Sequence, residues 1–185
     1  MRVSRAEMEQ SHERIVAGAS RLLRERGFEK TSVADVMEAA GLTHGGFYRH
    51  FETKDALLSA AIQAAFAQVT EPMRRNVQER SPVDARVAYH QYYLSEEHLG
   101  LAGAACPVAT LAGDMARAEP DLKAIFGKGV NQMLDTVALA HSGTRKERQA
   151  AAAREFAMLV GAAVIARASD PATARQVLDA CRPLE

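Results

Sequence analysis

Residues 31–54, TSVADVMEAAGLTHGGFYRHFETK, restrict the fold of this chain more than any other stretch. Thr31 or Ser32 can cap a helix, because a hydroxyl there accepts one of the orphan backbone N–H groups. Val33, Val36 and Met37 recur at helical spacing and form its apolar stripe. Gly41 falls where a left-handed C-terminal residue is wanted, and Leu42 supplies the apolar contact after it. Thr43 can cap a second helix running to about His50. Phe47 and Phe51, four apart, point inward, which leaves His44, Gly45, Tyr48 and Arg49 on the outer face. Two short helices around a glycine turn match a helix-turn-helix. They equally match a plain helical hairpin, and the pattern alone leaves both open.

The flanking sequence is helical on the same grounds. Apolar residues make up 48% of the chain, enough to bury a core, and β-branched runs are scarce, which favours helices. Residues 1–9 read as a loose polar arm, in which Arg2 and Arg5 fit a minor-groove arm less well than a tail. Ile15, Ala19, Leu22 and Leu23 stripe a helix over 11–26 that Gly27 ends. Thr53 caps the next, to about residue 70, before Pro72; residues 71–82 read as a connector. A tyrosine-rich helix follows over 83–97, then a Gly/Ala loop over 98–105, and helices over 107–118, 121–140, 145–167 and from 171 onward. The expected fold is all-α with about nine helices. It divides into a three-helix domain over 1–53 and a larger helical domain over 54–185.

Charge argues mildly against nucleic acid. Lys+Arg and Asp+Glu both number 23, and residues 1–55 carry nine of each sign, whereas a nucleic-acid-binding domain often has a basic excess. Any such binding must come from local arrangement. No stretch approaches the roughly 18 continuous apolar residues of a membrane span, and the charged N-terminus lacks a signal peptide's apolar core. The expectation is a cytoplasmic protein with no membrane partner. Two distant cysteines, Cys106 and Cys181, suggest neither a disulfide framework nor a zinc site. Neither a metal nor a cofactor is expected. No catalytic constellation stands out either: GxSxG, HExxH, phosphate-binding glycine loops and CxxC are all missing, and Cys106 with His90 or His98 has no supporting spacing. The expectation is that the chain is not an enzyme.

Three segments together resemble the TetR family of bacterial transcriptional regulators: RLLRERGFEKTSV (Arg21–Val33), AAGLTHGGFYRHF (Ala39–Phe51) and TKDALL (Thr53–Leu58). They keep the family's order and spacing over about the first 65 residues; beyond that only the helical architecture matches. The resemblance implies a homodimeric repressor whose small N-terminal domain reads a DNA operator. It implies a C-terminal domain that holds an effector, and a fourth helix that links the two. The alternative is a helical interaction protein, or a small enzyme with a reactive Cys106, and no role on DNA.

On that resemblance, Thr43, His44 and Gly45 open the recognition helix, whose N-terminal residues reach base edges. Gly45 and Gly46 each cost about 1 kcal/mol in a helix interior, so close backbone approach to DNA is their expected use. Tyr48, His50, Lys54 and Thr31 or Ser32 are expected at phosphates, which position without specifying. Cys106, preceding Pro107, sits near a helix N-terminus that can stabilise a thiolate, as in family members that sense electrophiles; it equally fits a small buried hydrophobe. An apolar or electrophilic effector would meet Tyr89, Tyr92, Tyr93, Leu111, Met115, Phe126 and Met133, residues that also suit a plain core. Phe156, Val160, Gly161, Ala163, Val164, Val177 and Leu178 are expected at a dimer interface. There two helices per subunit would form a four-helix bundle and set the recognition helices roughly 34 Å apart.

Overall fold

The computed structural model describes residues 4–182. They form α1 (Arg5–Arg26), α2 (Val33–Ala39), a 3-10 helix (His44–Arg49), α3 (Lys54–Glu79), α4 (Pro82–Tyr93), α5 (Glu96–Gly100), α6 (Pro107–Arg117), α7 (Pro120–Ala138), α8 (Arg145–Ala168) and α9 (Pro171–Cys181). Among the described residues there is no strand, and the all-α expectation holds.

Local chemistry explains where these helices start and stop. Ser4 and Glu7 form a capping box, so α1 begins at Arg5 and not at Ser11. Arg5 therefore belongs to a helix and not to an arm, while Arg2 lies outside the described residues. Ser32 and Asp35 cap α2 in the same way. Its end is a Schellman motif, with Leu42 N–H on Met37 O and Gly41 N–H on Glu38 O, both at 2.9 Å. Gly41 takes φ +68°, which a side chain would strain.

Two expectations about helix ends are corrected. α3 runs straight through Pro72 to Glu79, so residues 71–79 are helix and not connector. Pro72 is exposed, and the turns on either side are anchored by buried Thr70 and Met73, packing that offsets the missing N–H. The Gly/Ala stretch contains α5, capped by Ser95. Its carbonyl end is held by Arg167 of α8, which donates from Nε to Leu99 O and from Nη2 to His98 O, both at 3.0 Å.

The chain forms two compact units. Residues up to Ala65 with Ala102–Phe126 make one; Phe66–Leu101 with Gly127 onward make the other. In the first, α1 packs on α2 and α6, and α2 packs on the 3-10 helix. Ile15, Leu23, Val36, Met37, Phe47, Phe51, Leu57 and Ile62 are buried there. In the second, α8 packs mainly on α9, and α4 packs on α5 and α8.

Candidate nucleic-acid interface

The first unit exposes a compact polar surface around the turn. Thr43 precedes the 3-10 helix in extended conformation but makes no side-chain cap bond, so its hydroxyl is available for an outside partner. Thr43, His44 and Gly45 are exposed, and Tyr48 is 76% exposed. A large aromatic left so open is uncommon unless its face has a partner. Beneath it, Phe47 (3% exposed) meets the Tyr48 ring edge-on at 5.2 Å and stacks on Phe51 at 5.9 Å. The inward and outward faces fall as the four-residue spacing of the phenylalanines implied.

The recognition segment is wound as a 3-10 helix and not an α-helix. Adjacent glycines are weak α-helix formers, and the tighter winding is common in pieces this short. Gly46 turns toward the core, where a Cβ would stand 3.5 Å from Met37 Cε; around Gly45 there is nothing within 4 Å. The close-approach role expected of both glycines is geometrically open only to Gly45.

Thr31 is also relocated. It is buried at 4%, and its hydroxyl donates to Gly27 O at 2.8 Å, so it ties the α1–α2 turn together. Ser32, exposed at the α2 N-cap, holds Asp35. Lys54 opens α3 exposed, and it shares the wall of a cavity of about 10 Å³ with Ser32 and Val33. The N-terminal ends of α2 and α3 are therefore neighbours, and their unpaired N–H groups form a surface suited to anionic oxygen. His50 is half-buried, 6.0 Å from the ring of His12 on α1, and His12 stacks on Phe51 at 4.6 Å. Burial lowers the His50 pKa, helped by the nearby His12 and Arg49 charges. His12 gave no signal in the sequence, because only the fold brings α1 beside the motif.

α6 reinforces this unit from the other side of α1. Arg24 of α1, buried at 6%, donates to Ala105 O at 3.2 Å and to Ser20 O at 3.1 Å. Burial lowers the Arg24 pKa, and the adjacent Cys106 and Glu25 oppose that shift. Asp114 of α6 accepts the Phe28 N–H at 3.2 Å, immediately beyond the glycine that ends α1. Cys106 is 1% exposed and stands at the α6 N-cap, as the Cys–Pro pair suggested.

The residues expected to line an effector site divide between the units. Cys106, Leu111, Met115 and Phe126 belong to the first; Tyr89, Tyr92, Tyr93 and Met133 belong to the second. Leu111, Met115, Met133 and Tyr93 are buried, whereas Tyr92 is half exposed. His90 faces Glu155 and His98 bonds Tyr93 O, so both histidines considered beside Cys106 have partners of their own. Of the expected interface residues, Phe156 and Ala163 are buried within the chain's own packing, and Val164 is open at 42%. Val160, Gly161, Val177 and Leu178 are partly exposed. Among the described residues no group of three or more His, Cys, Asp or Glu side chains is arranged to hold a metal ion.

A capped, glycine-turned helix pair with an open polar face and a neighbouring helix N-terminus defines a helix-turn-helix DNA-binding domain. Residues 15–61 match the family model of bacterial regulatory proteins of the tetR family. The regulator CymR of Pseudomonas putida is 37% identical over 71 residues, 38% of this chain and 35% of CymR. The chain spans only about a third or less of the length of the first curated relatives it matches. Whole-chain likeness comes from solved structures. One is E. coli NemR in its reduced form (TM-score 0.77, 19% identity, 93% of this chain and 95% of NemR). Another is a TetR-family regulator from Cytophaga hutchinsonii (TM-score 0.79, 19% identity, 98% and 95%). At that identity they speak for the fold. The N-terminal motif is thus that of the tetR family of bacterial regulatory proteins, and the fold of the whole chain is the one these regulators share.

Proposed function

We propose that this chain is a homodimeric, cytoplasmic transcriptional repressor. It binds an operator through the turn surface and leaves it when a small molecule binds or Cys106 is modified. The observation that carries the reading is the open face made by Thr43, His44, Gly45 and Tyr48, flanked by Ser32 and Lys54. In the proposed complex His44 and Thr43 read base edges, and Gly45 lets the backbone approach. Tyr48, Lys54, Ser32 and His50 hold phosphates, which supply most of the affinity. With as many acidic as basic residues overall, so few contacts imply a modest salt slope.

The dimer reading is supported by α8. The helix is 24 residues long and apolar enough to cross a membrane by length and composition alone. Yet it carries buried Glu155 midway and exposes Met158, Val164 and Ile165. An apolar face of that kind, continuous with small Gly161 and packed beside α9, suits a second copy in a four-helix arrangement. The Cys106 reading is supported by its place at a helix N-terminus beside Arg24, both of which favour a thiolate. Burial means that a reagent reaches it only when α6 opens.

The test is a gel shift with the DNA flanking the encoding gene, using purified dimer at low salt. A saturable, competitor-resistant shift is expected, and no shift from folded dimer would remove the regulator reading. Treating the complex with N-ethylmaleimide should release wild-type protein and spare Cys106→Ser. Equal release of both would exclude Cys106 as the trigger.

A further inference from the structure

The second unit holds a polar cluster that DNA binding does not use. Glu155 of α8 is the only buried carboxylate among the described residues. A carboxylate taken out of water needs partners in good geometry, or its desolvation goes uncompensated. Arg86 of α4 supplies two contacts to one oxygen: Nε at 2.9 Å and Nη2 at 2.8 Å from Oε2. His90 Nε2 lies 2.9 Å from Oε1, and His141 Nε2 lies 3.2 Å from Oε2. Both histidines are within ion-pair reach of the carboxylate. His90 Nδ1, on the far side of its ring from Glu155, is buried with no hydrogen-bond partner. Buried polar atoms left so are uncommon and call for an explanation.

The surroundings indicate what would complete the cluster. Glu155 and Arg86 form the polar end of a cavity of about 10 Å³ whose other walls include Met73, Val77, Tyr89 and Val137. That volume admits about one water. Arg86, however, is 42% exposed on its side chain while Glu155 is 6% exposed. The carboxylate is fixed on a packed helix and the guanidinium arrives from the solvent side, so only the arginine can leave without unfolding anything. Removing it would join the cavity to the slot that its side chain occupies. The resulting pocket has a carboxylate at its base and thioether, aliphatic and aromatic walls, of which Tyr89 favours a cationic guest and Met73 adapts to its shape.

We propose that this slot is a binding site for a small organic cation, a guanidinium or primary ammonium with a short apolar tail, for which Arg86 is the resident stand-in. The cation head replaces the Arg86 fork on Glu155 and its tail packs against Tyr89, Val77 and Met73. An anion is disfavoured because Glu155 faces the cavity, and a neutral ligand would leave that carboxylate without the permanent positive charge that Arg86 supplies. Binding would also exchange the main polar link between α4 and α8 for a bound molecule. Only that regulatory use rests on the effector reading above; the binding itself does not.

The test uses calorimetry on the full-length protein without DNA, so its outcome is independent of the gel shift. The probes are benzylguanidinium, its neutral analogue benzylurea, and phenylacetate. Benzylguanidinium should bind wild-type protein saturably, and Arg86→Ala at least tenfold more tightly because the competing side chain is gone. It should bind Glu155→Gln at least tenfold more weakly. Benzylurea should bind neither wild type nor Arg86→Ala. Should Glu155→Gln fail to fold, the benzylguanidinium-to-benzylurea contrast on Arg86→Ala still reads the charge requirement with Glu155 in place. The proposal is overturned if Arg86→Ala binds no benzylguanidinium, if it binds benzylurea equally well, or if phenylacetate is the preferred probe.

Discussion

Replacing Gly45 by alanine separates what the fold needs from what DNA needs. Gly45 is not among the glycines with positive φ, which are Gly27, Gly41 and Gly143. A Cβ added there meets nothing within 4 Å. Neither backbone strain nor packing therefore requires glycine, and alanine should stabilise the free protein by about 0.4–1 kcal/mol through the entropy of the unfolded chain. On DNA the same methyl occupies space that the proposed backbone approach uses. Holding the backbone away by one methyl should weaken binding about tenfold, which corresponds to about 1.4 kcal/mol. The opposite signs make the variant informative, since lost binding cannot be attributed to lost fold. Gly46→Ala is the control, because its Cβ makes an ordinary 3.5 Å contact with Met37 inside the domain, and its affinity should stay near wild type. Urea midpoints give the stability change, and fluorescence anisotropy with a labelled operator duplex gives the affinity. Operator binding by Gly45→Ala as tight as wild type would refute close approach, and a lower urea midpoint would refute the claim that the fold does not need this glycine.

Other outcomes follow from the same geometry. Lys54→Ala should weaken binding to all sequences alike and flatten the salt dependence by about one ion, whereas changing His44 should alter sequence preference; identical behaviour in a binding-site selection would sink that division of roles. Thr31→Val should cost about 1 kcal/mol in chemical denaturation by removing the bond to Gly27 O, with operator affinity unchanged; selective loss of DNA binding would mean the hydroxyl faces phosphate after all. Stability should fall on acidification. Burial lowers the pKa values of His98 and His141, so the unfolded chain takes up their protons first, and stability declines as pH drops through the ordinary histidine value near 6.5. Burial pushes the Glu155 carboxyl up, but the contacts from His90 and Arg86 outweigh it and leave the pKa below normal. Its contribution is therefore complete above the ordinary carboxylate value and is lost as pH falls from there through the depressed one. A Tm unchanged between pH 7.5 and 5 would contradict the histidine sign, and a Tm unchanged from pH 5 to 3 would contradict the Glu155 sign.

The turn was legible because its determinants are local. Gly41 and Leu42 close a Schellman motif, Ser32 caps α2, and the phenylalanine spacing sets the inner face; each acts within a few residues. The α1 start was equally local, written as Ser4–x–x–Glu7, but it was hidden because the apolar stripe begins only later. What stayed illegible depends on distant partners. Pro72 looks like a helix end until the burial of Thr70 and Met73 is known. α5 looks like a loop until Arg167, about 68 residues on, holds its carbonyls. Thr31 and Ser32 are alike in sequence, and only the position of the Gly27 carbonyl decides which hydroxyl turns inward. The Glu155 cluster draws on α4, the turn after α7, and α8, so no sequence window contains it.

The first compact unit has a consequence for engineering. Because Ala102–Phe126 belongs with the helix-turn-helix, the portable module is not the first 53 residues. A chimera that grafts residues 1–53 onto a foreign effector domain leaves behind the Ala105 carbonyl that takes Arg24 and the Asp114 carboxylate that takes the Phe28 N–H. Such a graft should carry the reading head without its seat. A transplant that also exchanges the α6 segment should keep operator recognition under the new domain's control.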